Sequence, residues 1–277
     1  MLKNTKTLKN TKTDGEEMDN YGKFVVALKH KLNFDLSGYK RKQMERRIIS
    51  FMENLGFGEN YDAFVDALFR DKQICHKFFE HITINVSEFF RNPSQWEVMR
   101  KKILPQLIIE DKRLYIWSAG CSTGEEPYSI AIIMAEYFPK QKYTILATDC
   151  DDDILHKARE GVYIAKSMLG VSDKILNKYF TMQGENYHIN NDLKRCISFR
   201  NHNMLVDPFP KQMDFIACRN VVIYFKEEIK KELYLNFFEA LRPGGILFTG
   251  STEQLIKARE MGYETAAPFF YGRPLRK

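Results

Sequence analysis

Long hydrophobic runs are missing from this 277-residue chain: no stretch approaches the roughly 20 apolar residues that a membrane span requires. The amino terminus carries no apolar signal-peptide core, so the expected setting is cytoplasmic, without membrane insertion. Cysteine is sparse. The five thiols (Cys75, Cys121, Cys150, Cys196 and Cys218) show no C-x-x-C spacing, which argues against a disulfide framework or a zinc site and for reduced thiols. Acidic charge is outweighed, leaving a net charge of +6; this suggests an acidic partner without separating nucleic acid from an acidic protein surface. What is present suffices for a sizeable core: 44% of the residues are hydrophobic, and the length allows a main domain plus a small one.

Residues 1–20 hold two copies of Leu-Lys-Asn-Thr-Lys-Thr and an acidic stretch from Asp14 to Asp19. With so little apolar surface to offset ordering entropy, they read as a disordered tail. Residues 21–92 show no strand alternation. Instead Phe24, Val25, Leu28 and Leu32, then Met44, Ile48, Phe51, Met52 and Leu55, then Phe64, Ala67 and Leu68 recur at helical spacing, which predicts a small all-helical domain. From residue 93 to 277 the pattern alternates. Strands are expected at 114–117, 143–147, 197–199, 213–217 and 246–249, and helices at 129–137, 152–160 and 226–241, an α/β order that implies a mostly parallel sheet covered on both faces. The interval of about 163–195 is too long for an ordinary connection and reads as an inserted subdomain, with turns at Gly184 and at Asn190-Asn191. Arg242-Pro243-Gly244-Gly245 is expected to stop the last long helix before the final strand.

The most informative segment is Ile116 to Ser129, where a short apolar strand stops at the turn around Gly120 and opens onto an apolar helix. Nucleotide sites of this kind usually place phosphate at the helix start, where backbone amides and the helix dipole favour anions. Here Glu125 and Glu126 already occupy the first turn and would repel phosphate. S-adenosylmethionine, which has a ribose and a sulfonium but no phosphate, suits this turn better than NAD or ATP. Asp149 falls at the carboxyl end of the second strand, where an acid can accept hydrogen bonds from ribose hydroxyls, or merely cap the helix that follows. The fourth strand ends in Cys218-Arg219-Asn220, followed by Tyr224-Phe225, at the place where substrate would meet cofactor. Cys218 is expected to be buried and inert rather than nucleophilic. Amino-group methyltransferases acting on bases carry an Asn or Asp, two prolines and an aromatic at that strand end. Asp207-Pro208-Phe209-Pro210 only superficially resembles that tetrad and precedes the strand, so it reads as a loop and speaks against a nucleic-acid substrate. In Thr83 to Pro93, Asn85, Ser87 and Arg91 alternate with Val86, Phe89 and Phe90. By spacing alone these three are equally a ligand-facing set or a helix cap and a surface cation.

Three separated motifs agree on one family. T-x-N-x-S-x-F-F-R-N-P at 83–93, W-S-A-G-C-S-T-G-E-E-P-Y-S-I-A at 117–131 and C-R-N-V-V-I-Y-F at 218–225 resemble the CheR-type chemotaxis protein-glutamate O-methyltransferases. The likeness extends from about residue 21 to the end. It implies a Rossmann-like class I methyltransferase sheet with a small inserted β-subdomain, preceded by the helical domain. It also implies transfer of methyl from S-adenosylmethionine to glutamates of chemotaxis receptors, giving a methyl ester and S-adenosylhomocysteine. Family cofactor contacts fall on Asn85, Ser87, Arg91, Glu126, Asp149, Asn203, Met204, Arg219 and Asn220, to which the turn glycine Gly120 is added; Arg91 and Tyr224 are the candidates for orienting the substrate carboxylate. Glu125 is assigned only a favourable charge at the helix start.

Partners implied by the resemblance are the cytoplasmic methylation helices of chemoreceptors, met by a monomer. With Met44, Ile48, Phe51 and Leu55 as the buried stripe, Lys42 and Arg46 project to the opposite face at 100° per residue, while Lys40, Arg41 and Arg47 lie near the helix start or its flank. Two features depart from the family. Gly250-Ser251-Thr252-Glu253 stands where Gly-His-Ser-Glu is common, and the loop of 184–191 is short beside members that dock on a receptor's carboxyl-terminal pentapeptide.

Overall fold

In the computed structural model, residues 18–32, 34–82 and 87–275 are described, and the chain divides into two compact units. One takes the chain up to Ser37 and Arg41–Ile82; the other takes Gly38–Lys40 and the chain from residue 83 onward. The division thus falls at Ile82, ahead of the expected Asn92, because the segment after residue 86 packs with the sheet.

The described residues of the first unit form four helices: α1 (Asn20–Leu32), α2 (Arg41–Asn54), α3 (Tyr61–Arg70) and α4 (Lys72–Ile82). Apolar residues at helical spacing meet in an aromatic core. Phe24 stacks on Phe64 at 5.8 Å, and Phe78 meets Phe64 edge-on at 5.3 Å and Phe51 at 5.7 Å. Asn60 caps α3 by accepting the Ala63 N–H at 3.1 Å, and Asp71 accepts from Gln73 and Ile74 at the start of α4. Lys42 and Arg46 are exposed, opposite buried Met44 and Ile48. Leu55 does not join the stripe: it lies beyond the end of α2 and is 41% exposed.

In the second unit, α5 (Pro93–Val98) continues through a wider turn at Met99–Ile103 into α6 (Leu104–Leu107). Alternation follows: β1 (Leu114–Ala119), α7 (Glu125–Tyr137), β2 (Tyr143–Asp149), α8 (Asp152–Glu160), β3 (Val162–Ile164), α9 (Asp173–Tyr179), β4 (Phe180–Gln183), β5 (Asn186–Ile189), α10 (Asn191–Lys194), β6 (Ile197–Asn201), β7 (Met213–Cys218), α11 (Glu227–Ala240), β8 (Leu241–Thr249), β9 (Glu264–Ala267) and β10 (Phe270–Gly272). The main sheet has the order β6-β2-β1-β7-β8-β10-β9, parallel from β6 to β8 and antiparallel through β10 and β9. This is the Rossmann-like order. It reverses direction beside β1, so a crevice opens at the carboxyl ends of β1, β2 and β7.

Two local expectations are corrected, and two strands are added. Arg242-Pro243-Gly244-Gly245 lies within β8, where the ladder with β7 shifts register between Met213 and Phe215. The antiparallel pair β9 and β10 had no counterpart in the sequence reading, since each strand is too short to show a period. Asn190-Asn191 starts a helix rather than turning a loop, because the Asn190 side chain accepts the Leu193 N–H at 3.2 Å.

Within 163–195, β3-β5-β4 form a separate antiparallel sheet, with Gly184 in the tight connection of β4 and β5. Residues 38–40 run as a strap on the second unit. Tyr39 pairs with Phe225 in an antiparallel bridge, Lys40 N donates to Tyr224 O at 2.8 Å, and Lys226 N donates to Gly38 O at 2.9 Å.

Candidate active site

The crevice is built from strand ends. β1 closes onto its turn when Gly120 and Cys121 donate their N–H groups to Thr148 O on β2, at 2.8 and 2.9 Å. Gly120 sits at φ 79°, and a Cβ there would stand 2.5 Å from Val221 of the β7 loop. Only glycine lets the two loops approach, so the turn predicted as a ligand wall is also a packing contact.

Asp149 ends β2 with its carboxylate fixed by main-chain donors: Ser122 N at 2.9 Å and Asp151 N at 3.3 Å. Asp151, not Asp149, caps α8, accepting from Asp153 and Ile154. Burial raises the Asp149 carboxyl above the ordinary carboxylate range, and those N–H bonds oppose the rise.

The two glutamates of α7 separate. Glu126 accepts from Ser118 Oγ at 2.7 Å and faces Arg219 Nη1 at 3.7 Å, and it borders the crevice. Burial raises its carboxyl; Arg219 opposes this most. Glu125 is more than the helix-start charge expected of it. It is 2% exposed and accepts from Thr123 Oγ1 at 2.6 Å, with Ser87 and Ser167 holding its raised carboxyl down. The amino end of α7 therefore carries its own buried carboxyl group at the position where a phosphate would bind.

Arg219 is a buried basic residue, 7% exposed. Its Nη2 donates to Arg91 O at 2.7 Å, Gln95 Oε1 at 2.9 Å and Asn92 Oδ1 at 3.3 Å, and its guanidinium lies 4.6 Å from the Phe248 ring centre. It thereby ties the end of β7 to the segment 87–95. That segment is anchored by Phe89, packed edge-on against Tyr163 at 4.8 Å and Phe180 at 5.2 Å, and by Trp96 Nε1 donating to Arg91 O at 2.8 Å.

One crevice of about 1020 Å³, its open mouth included, gathers Ser87, Arg91, Gly120, Glu126, Asp149, Asn203, Met204, Arg219, Asn220 and Tyr224. These are the predicted site residues apart from Asn85, which lies outside the described residues. Tyr39, Glu88, Ser122, Cys150, His202 and Phe225 also line it and were not predicted. Cys150 and His202 adjoin residues that were singled out; Tyr39 had no local signal. The lookalike Asp207-Pro208-Phe209-Pro210 is a loop whose Asp207 accepts Asn203 N at 2.7 Å and whose Phe209 packs on Trp117. Cys218 is buried and its thiol is pushed well above its ordinary range, which removes it as a nucleophile. No group of His, Cys, Asp and Glu suited to a metal occurs among the described residues.

The donor set fits S-adenosylmethionine. Glu88, Glu126 and Asp149 line one cavity together with Arg91 and Arg219, no ion pair to Asp149 forms among the described residues, and Ser122 Oγ is buried there without a hydrogen-bond partner. Asp149, with no cation of its own, and the unpaired Ser122 Oγ suit the hydroxyls of a ribose.

Comparison with known proteins gives the same reading. Residues 85–268 match the family described as CheR methyltransferase, SAM binding domain, and residues 19–83 match CheR methyltransferase, all-alpha domain. A chemotaxis protein methyltransferase of Listeria innocua is 41% identical over 90% of this chain and 95% of its own length. The Listeria monocytogenes protein of that name is 42% identical over the same shares, and the Borreliella burgdorferi one is 29% identical over 91% and 93%. With its sheet, its carboxyl-bearing helix start and both domains matched, the chain belongs to the CheR family of chemotaxis methyltransferases, whose methyl donor is S-adenosylmethionine.

Proposed function

We propose that this enzyme esterifies glutamate side chains of chemoreceptor methylation helices in the cytoplasm, acting as a monomer. The observation that carries this reading is the shared lining of one crevice by Arg91 and Tyr224 together with Glu126 and Asp149. S-adenosylmethionine supplies an electrophilic methyl group on its sulfonium. Asp149 accepts the ribose hydroxyls, Glu126 compensates positive charge, and Gly120, Ser87, Asn203, Met204, Arg219 and Asn220 complete the binding set. Asn85 belongs to the same set by the family resemblance.

The acceptor needs no general base. A glutamate side chain has a pKa of about 4.3 and is already a carboxylate at neutral pH. The protein's task is to aim one carboxylate oxygen at the methyl group and to keep water away. Arg91 and Tyr224 orient the carboxylate, and Tyr39, Met204, Val221 and Phe225 wall the crevice with apolar surface. Positioning of this kind can contribute several kcal/mol to lowering the barrier. An arginine that gripped the carboxylate too tightly would stabilise the ground state, so orientation is the role assigned to Arg91.

Labour is divided between the domains. Residues 83–277, with the strap of 38–40, perform the transfer, with 163–195 as an inserted β-subdomain, while the helices up to Ile82 recognise the partner. On α2, exposed Lys42 and Arg46 offer positive charge to acidic receptor helices. Arg41 is partly neutralised, bonding Glu45 at 3.0 Å and Asp19. Arg47 turns inward and donates to His81 O.

The decisive experiment measures methyl incorporation from labelled S-adenosylmethionine into receptor-containing membranes. The wild type should yield label that alkali releases as methanol, and Asp149→Ala should yield almost none. An alkali-stable product would overturn the ester assignment.

A further inference from the structure

Glu253 lies outside the crevice, yet its surroundings are unusual for an acid. It is 4% exposed, and no lysine or arginine forms an ion pair with it among the described residues. Burying a carboxylate is costly unless it is well hydrogen-bonded. Here the compensation comes from the main chain and falls on one oxygen: Oε2 accepts Asn220 N at 2.5 Å and Gly250 N at 2.9 Å, while Oε1 is buried without a hydrogen-bond partner. Burial raises its carboxyl, and N–H groups of Asn220, Gly250, Ile223 and Val221 pull it back down.

Those donors belong to two loops. Gly250 and Glu253 form the tight turn after β8, closed by Glu253 N donating to Gly250 O at 3.0 Å. Asn220, Val221 and Ile223 belong to the loop after β7, which carries Arg219, Asn220 and Tyr224 into the crevice. Asn220 has a φ of 60°, a left-handed conformation that non-glycine residues adopt only when the surroundings enforce it. Gly250 makes room for the clamp: a Cβ there would stand 2.4 Å from Glu253 Oε2 and 3.0 Å from Asn220 N.

We propose that Glu253 is a positioning residue for methyl transfer: through the Asn220 main chain it fixes the left-handed turn that presents Arg219, Asn220 and Tyr224 to the cofactor and acceptor. The inference rests on the assignment of those three residues to the site, but not on which group is methylated. Since both bonds fall on Oε2, glutamine can keep an oxygen in that place, whereas alanine strands both N–H groups. A side chain at position 250 disturbs the same bonds from the other side.

Calorimetric binding of S-adenosylhomocysteine tests this without any methyl acceptor, so a wrong ester assignment leaves the outcome unchanged. Glu253→Ala and Gly250→Ala should each weaken binding about tenfold, measured well below each variant's melting midpoint. Because both act on one contact, the double variant should lose no more than about threefold beyond the worse single one. Glu253→Gln should stay within about threefold of wild type. A merely structural role would lower the melting midpoint and leave the affinity of the folded protein unchanged. The proposal fails if folded Glu253→Ala binds within about twofold of wild type, if the two losses multiply, or if Glu253→Gln is as damaged as Glu253→Ala. Should Glu253→Ala not fold, Gly250→Ala at wild-type affinity overturns it equally.

Discussion

Arg219 and the pair Lys42 and Arg46 are cations put to opposite uses. Arg219 is enclosed, with its Nη2 donors committed to three oxygens at 87–95 and its charge facing Glu126, whereas Lys42 and Arg46 stand exposed on a helix face with buried Met44 and Ile48 behind them. A buried charge with fixed partners defines geometry and is indifferent to salt; an exposed one acts at a distance and is screened within about 8–10 Å at ordinary ionic strength. The lesson is that net charge of +6 says little until each cation has been placed.

The largest effect should follow from Arg219→Met. It leaves Glu126 facing the crevice without its cation and unties segment 87–95, and breaking a buried pair in this way costs about 3–5 kcal/mol. Thermal unfolding should move to lower temperature and affinity for S-adenosylmethionine should fall about a hundredfold or more, equally at low and high salt. A mild, salt-dependent loss would show that Arg219 behaves like the surface cations.

Next is the double reversal Lys42→Glu and Arg46→Glu. Receptor methylation should fall about tenfold at low ionic strength, with the gap closing as salt is added, while cofactor binding stays as in the wild type. Equal methylation rates across the salt range would sink the proposed docking face.

The smallest effect is one of pH. Burial holds Glu126 and Asp149 above the ordinary carboxylate range, and a cationic ligand prefers their ionised forms. Affinity for S-adenosylmethionine should therefore be full above the raised values and weaken as pH falls through them, beginning higher than the usual pH of about 4.3. The loss should be larger for S-adenosylmethionine than for the product, which lacks the sulfonium charge. Identical profiles for the two ligands would remove the charge argument from these acids.

How far the sequence carried depended on the range of each contact. The parallel strands and long helices were legible because apolar periodicity is local: the helix expected at 152–160 is α8 itself. Turn chemistry marked Gly120 and Asp149 for the same reason. Glu125 and Glu126 were told apart only through the family resemblance, since adjacency in sequence hid that Glu125 faces Thr123 and Ser167 while Glu126 faces Ser118 and Arg219. Tyr39 joins the crevice from a distant part of the chain, and no local pattern encodes such a meeting. Asn203 and Met204 were legible only through the family resemblance, having no periodicity or charge signal of their own.

The strap at 38–40 has a consequence for how the gene can be cut. Because Gly38–Lys40 belongs to the larger unit while the chain on either side of it belongs to the smaller one, the catalytic domain is not one continuous stretch of sequence. A truncation that starts the chain after Ile82 would delete Tyr39 from the crevice wall and both main-chain bonds at Tyr224 and Lys226. A helical domain exchanged as one continuous cassette would carry part of the crevice wall with it.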